Sequence, residues 1–222
     1  GYEASTAFAF SGGATQGLLP YSWSWNFSDG IRINQVNATR TFNAVGTYTA
    51  TLNVTDAVGQ VCTAATVTVE VVHDTTSVSV SPPGAAVVEG GSLSISGADK
   101  RGHPFALNWS LDPPSCGALS NASGDWVDLA VSPSAGGSLC TVTGSFGNVS
   151  ASSRVNITHD LGAVSVDPAE AQVVEGSTLV LRAYDALGHN LLFLWSATCG
   201  NLSSASGFFV TFTATVEGGN TC

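Results

Sequence analysis

Histidine, cysteine and asparagine are the residues of this 222-residue chain whose spacing could carry chemistry. The four histidines form two pairs, His73/His159 and His103/His189, each 86 residues apart. Imidazole serves acid–base catalysis or metal ligation, but a histidine that recurs with a repeat reads first as a structural position. Cation chemistry narrows to calcium where His73-Asp74 or His159-Asp160 comes beside Glu89 or Glu175. Calcium takes roughly six to eight oxygen ligands, more than the carboxylates of either junction supply. The reading is a solvated hinge with no metal ligand. No G-x-S-x-G, H-E-x-x-H, C-x-x-C, Walker A or G-x-G-x-x-G pattern is present. No catalytic residue and no cofactor is expected, and the chain reads as non-enzymatic.

Cys116 and Cys140 are 24 residues apart and Cys199 and Cys222 are 23 apart, at matching positions. One disulfide per repeat is the reading, with buried thiols as the alternative; the spacing offers no zinc motif. Such a bridge contributes roughly 3 kcal/mol and implies an oxidising compartment. Cys62 is left over, either a small buried residue of a strand or a thiol that bonds another chain. Twelve asparagines among 50 serines and threonines predict about 2.7 N-x-[ST] sequons by chance. Eight are present, at Asn26, Asn37, Asn53, Asn108, Asn121, Asn148, Asn156 and Asn201. N-glycosylation is therefore expected, at Asn37, Asn53, Asn121, Asn148, Asn156 and Asn201. Asn26 and Asn108 adjoin tryptophans expected in cores.

The elements that must position these residues are strands. Val67-Thr68-Val69-Glu70-Val71 and Thr47 to Val54 alternate with period 2, and turns of the form Asp-x-x-Gly stand at Asp56, Asp99 and Asp185. That pattern predicts half-buried strands joined by hairpins. Val78-Ser79-Val80, Pro82, Val87-Val88-Glu89-Gly90 and Leu93 return 86 residues later, and the same offset carries Trp109-Ser110 to Trp195-Ser196. The repeat predicts three all-β, immunoglobulin-like sandwiches at 1–73, 74–159 and 160–222, joined by short linkers. Trp109, Trp126 and Trp195 are expected in cores, and Leu191 to Trp195 is expected to form a buried strand. The third sandwich ends early against the second, so its completion by further chain or by a neighbour's strand is expected. Ala4 to Phe10 is a conceivable donor. The start at Gly1, with neither Met nor signal peptide, reads as a processed or internal piece.

Composition excludes two classes of partner. Only 10% of residues are charged and the net charge is −10, unsuited to a phosphate backbone whose affinity comes from lysine and arginine. No apolar run approaches the 18 or so residues of a membrane span.

Residues 1–73 resemble a PKD domain. The resemblance rests on Trp23-Ser24-Trp25-Asn26-Phe27-Ser28-Asp29-Gly30, then Thr41-Phe42, Val45-Gly46-Thr47-Tyr48-Thr49 and Leu52-Asn53-Val54-Thr55-Asp56-Ala57 with Gly59. It departs from the family at Asn26 and Ser28. It implies an Ig-like sandwich that works in adhesion, spacing or display, without catalysis. The function expected is structural: glycosylated Ig-like repeats that space, display or polymerise in an extracellular filament, appendage or surface layer. Other copies, further Ig-like domains and N-glycans are the partners expected. The alternatives are an accessory module of a secreted hydrolase that binds carbohydrate or protein, and a cell–cell adhesion stalk.

Overall fold

The computed structural model describes residues 1–215, without the side chains of 63–65. Contacts divide it into two units. The first comprises 1–79, Ala98–Phe105 and Phe146–Val149, and the second takes the rest.

In the first unit, β1 (Phe8–Ser11), β2 (Ser22–Phe27), β3 (Arg32–Ile33), β4 (Asn37–Arg40), β5 (Gly46–Thr55) and β6 (Val61–Val71) form two sheets. The orders are β1-β4 and β3-β2-β5-β6. Alternation on β5 turns Ala50, Leu52 and Val54 inward. They meet Phe10, Trp25, Phe27 and Phe42 in one apolar cluster. Arg40 closes its edge, stacked over Phe27 and Phe42 at 4.8 and 5.0 Å and ion-paired with Asp29. The expected donor segment is already used here: β1 pairs with β4 and Phe10 is buried in its own sandwich.

The next strands are β7 (Val78–Ser81), β8 (Gly84–Val88), β9 (Ser92–Asp99), β10 (Leu107–Asp112), β11 (Gly117–Leu119), β12 (Ser123–Gly124), β13 (Trp126–Val131), β14 (Leu139–Phe146) and β15 (Val149–Thr158). Their sheets run β12-β10-β14-β15-β8 and β11-β13-β9-β7, with β8 parallel to β15. Leu107, Trp109, Val142, Val155 and Ile157 from the first sheet are buried, as are Ile95, Val127 and Leu129 from the second. Cys116 and Cys140 are disulfide-bonded and enclosed. The last set is β16 (Ser165–Asp167), β17 (Thr178–Tyr184), β18 (Phe193–Leu194), β19 (Asn201–Leu202), β20 (Ser206–Gly207) and β21 (Phe209–Thr213), in sheets β16-β17-β21-β19 and β18-β20.

Indole N–H groups anchor each set: Trp25 donates to Val36 O, Trp109 to Gly124 O and Trp195 to Gly207 O. Trp126 corrects the sequence reading. It is 49% exposed because β13 turns Val127, not Trp126, to the core, and Phe209 and Val210 repeat the arrangement. Leu191 to Trp195 is likewise not a fully buried strand. Its side chains alternate, leaving Leu192 and Leu194 71% and 90% exposed.

The three Asp-x-x-Gly turns are built alike. Gly59, Gly102 and Gly188 have φ of +84°, +86° and +89°, a region that glycine enters without strain. Each aspartate's Oδ1 accepts two turn amides, from Val58 and Gln60, Arg101 and His103, or Leu187 and His189. Burial pushes the Asp56 carboxyl up, but N–H groups of Leu18, Gln60 and Val58 outweigh it and hold the group below the usual carboxylate value.

Replacing Cys116 and Cys140 by alanine removes a cross-link across 24 residues and lowers stability by about 3 kcal/mol, read from urea unfolding. Asp56 has a folded-state pKa below its unfolded one, so its contribution is present above the unfolded value and fades as pH falls through the folded value. Between pH 6 and pH 3 the wild type therefore loses more stability than Asp56→Asn, as urea midpoints will report.

Candidate metal centres

Four titratable side chains meet in each unit. The first set is Glu3, His73, Asp99 and His103, and the second is Glu89, His159, Asp185 and His189. Every member of the second lies 86 residues after its counterpart in the first. The backbone repeats as well. Glu3 N–H donates to Val72 O at 3.0 Å and Glu89 N–H to Thr158 O at 2.9 Å, which seats each glutamate beside the histidine that follows the strand. Lys100 N–H donates to Asp74 O at 3.1 Å and Ala186 N–H to Asp160 O at 3.2 Å. Those bonds bring the Asp-x-x-Gly-His turn to the same place in both units.

The turn then decides what the aspartate offers. With Oδ1 held by turn amides, Oδ2 faces the imidazoles. His73 Nδ1 lies 2.8 Å from Asp99 Oδ2 and 3.3 Å from Glu3 Oε1, and His103 Nδ1 lies 3.4 and 3.0 Å from the same atoms. In the second set His159 Nδ1 is 3.4 Å from Asp185 Oδ2 and 3.2 Å from Glu89 Oε1, and His189 Nδ1 is 3.1 and 3.2 Å away. All four carboxylates are buried and the histidines are half-buried or, at His103, exposed.

The electrostatics are those of buried carboxylates beside imidazoles. Burial pushes Asp99 up, but the His73 hydrogen bond and the His103 and Arg101 amides hold it down to about 2. Burial acts the same way on Asp185, and His189, through amide and ring, with Leu187 N–H holds it to about 2. The hydrogen bond to Glu3 raises His103, and that to Asp185 raises His189. Glu89 Oε1 also accepts Asp160 N–H at 3.1 Å, while its buried Oε2 has no hydrogen-bond partner.

The sequence reading found both histidine pairs and the aspartates but not the sets. It placed Glu89 beside either junction, whereas the structure joins Glu89 to His159-Asp160 and gives His73 to Glu3. The available signal was the offset itself, because Glu3, Glu89 and Glu175 are 86 apart. Glu175 belongs to neither set and is exposed. Asp56 opens the same turn, but Gln60 stands where the other two have histidine, and Asp56 Oδ2 accepts Leu18 N–H instead.

Among the described residues, none of the remaining expected sites belongs to these clusters. Cys62 is free and exposed on β6, not a buried strand residue. Cys222, the expected partner of Cys199, lies outside the described residues. Asn37, Asn121, Asn148, Asn156 and Asn201 are exposed, and so is Asn108, because β10 turns Trp109 inward and its neighbours out. Asn26 and Asn53 are half-buried, with Asn53 Oδ1 enclosed and unpartnered.

Gly136 lets the backbone pass close to the second set. A Cβ there would stand 2.1 Å from Glu89 Oε2 and 2.4 Å from His159 Nδ1. Gly136→Ala is expected to cost about 1–3 kcal/mol by overpacking, measured by denaturant unfolding. An unchanged midpoint would mean that the carboxylate and imidazole move aside freely.

Comparison with known proteins places the first sandwich. No curated protein matches the chain. Among solved structures, domains 4 and 5 of the S-layer protein SbsC share 18% identity over 62% of this chain and 70% of that one, with a TM-score of 0.36. The N-terminal four Ig domains of Dscam1 share 14% over 71% of this chain and 42% of that one, at 0.43. Fibronectin(III)-like modules of Clostridium thermocellum CbhA share 14% over 71% and 88%, at 0.30. Likenesses this loose say nothing of what the chain binds. The family model for the PKD domain matches residues 2–71. That segment, which carries Glu3 of the first cluster, is similar to a PKD domain.

Proposed function

We propose that this chain is a non-catalytic segment of an extracellular surface assembly, in which glycosylated Ig-like modules at 1–73, 74–159 and 160–222 space, display or join subunits. The observation that carries the reading is the remade junction. The amide bonds Glu3 to Val72 and Lys100 to Asp74 recur 86 residues on as Glu89 to Thr158 and Ala186 to Asp160. A module that reproduces its own junction allows length by addition, since each repeat needs only its neighbours. Other copies and further modules of this kind are the partners proposed.

The surface supports the same reading. With 10% charged residues, solubility has to come from uncharged polar groups, and glycans on exposed sequons supply them. Glycopeptide mapping of the native protein is expected to find sugar at Asn37, Asn108, Asn121, Asn148, Asn156 and Asn201, with Asn26 and Asn53 bare. Antibodies to this chain are expected to label intact cells at their surface. Label only after permeabilisation, with every sequon bare, would overturn the reading.

A second reading, an accessory module that binds polysaccharide, is favoured by the outward Trp126, since an exposed indole can stack on a sugar ring. Saturable depletion of the chain by an insoluble glycan, abolished in Trp126→Ala, would establish it over the structural role.

A further inference from the structure

We infer that each four-residue cluster is a binding site for a divalent transition cation, zinc above all, that ties an Asp-x-x-Gly-His turn to a Glu and a His of the preceding repeat. The inference stands apart from the proposed function and does not rest on it.

A tetrahedral zinc with bonds of about 2.0–2.1 Å holds its ligand atoms about 3.3–3.4 Å apart. The eight imidazole-to-carboxylate distances lie between 2.8 and 3.4 Å, and in each set all four donor atoms fall within 4.8 Å of one another. The donors are two imidazole nitrogens and two carboxylate oxygens, a set that suits zinc and its neighbours in the first transition row. Calcium would need more oxygens at longer range.

Hydrogen bonding alone accounts for the cluster poorly. Each Nδ1 carries at most one proton, so two protons would serve four close N···O approaches. Two buried carboxylates side by side also repel unless a positive charge joins them. A dication with two carboxylates and two neutral imidazoles leaves no net charge.

An independent observation points the same way. Glu89 Oε2 is enclosed in a residue only 3% exposed, and no donor reaches it. It lies on the side of His159 Nδ1, since one Cβ at Gly136 would meet both atoms. A buried anion's unpartnered oxygen is costly, and a cation would satisfy it. An internal comparison agrees: Asp56, with Gln60 in the histidine's place, belongs to no such set among the described residues.

The test uses the whole chain with Cys62→Ser, so that the exposed thiol cannot take up metal. After chelator treatment, ZnCl2 is titrated calorimetrically. Two ions per chain are expected, one for each cluster, falling to one in His103→Gln or His189→Gln and to none in the double variant. Zinc should raise the thermal midpoint of the parent reversibly and leave that of the double variant unchanged. Co2+ should give the intense visible bands of a tetrahedral site. Absence of saturable zinc binding by the folded, chelated parent would overturn the inference, as would undiminished binding in a folded double variant. Calcium binding as tight as zinc would overturn the cation class. If the double variant does not fold, the cobalt spectrum of the parent decides, and a weak octahedral spectrum counts against the site.

Discussion

One carboxylate divided between two tasks organises each cluster. Asp99 and Asp185 give Oδ1 to the amides of their own turns and Oδ2 to two imidazoles. The first task fixes the turn, and the second fixes what the turn can hold. Glycine at the fourth position frees the backbone to close, and histidine at the fifth then falls beside the carboxylate that capped it. Asp56 performs only the first task, because glutamine follows its glycine. Histidine after the glycine is thus what the turn itself contributes to a cluster beyond its aspartate.

The cluster also depends on strands that deliver a glutamate. Glu3 and Glu89 are seated by single amide bonds to the residue before a histidine. In the second unit that bond continues the parallel pairing of β8 with β15, so register on one sheet sets the reach of Glu89. A one-residue slip would turn the side chain to the opposite face. Burial of the carboxylates follows from this placement, and it is what makes their partners matter. Glu89 has imidazoles beside it and one oxygen without a hydrogen-bond partner.

Alternation explains the rest of the surface with the same economy. Where a tryptophan falls on the inward phase, as Trp25 and Trp109 do, its indole N–H finds a carbonyl and the ring fills the core. Where it falls on the outward phase, as Trp126 does, it remains on the surface although its strand is well formed. Asn108 is carried outward by the inward turn of Trp109, which makes its sequon accessible. Phase within a strand, not proximity to a core residue, separates these outcomes.

The sequence by itself determined the strand class, the repeat, the Asp-x-x-Gly turns, the PKD character of the first segment and the cysteine spacing that the Cys116–Cys140 bridge matches. These are local or periodic properties, legible because side-chain alternation and turn chemistry act over a few residues. Phase was harder to read: Trp126 and Leu194 sit in apolar strands whose inward face only the opposing sheet selects. The clusters were decided by tertiary structure. Glu3 and His103 are 100 residues apart, as are Glu89 and His189, and nothing between them in sequence marks their meeting. Their convergence requires a strand pairing, a seated glutamate and a capped turn at once. Spacing can show that such residues recur, but only the fold brings their donor atoms to one point.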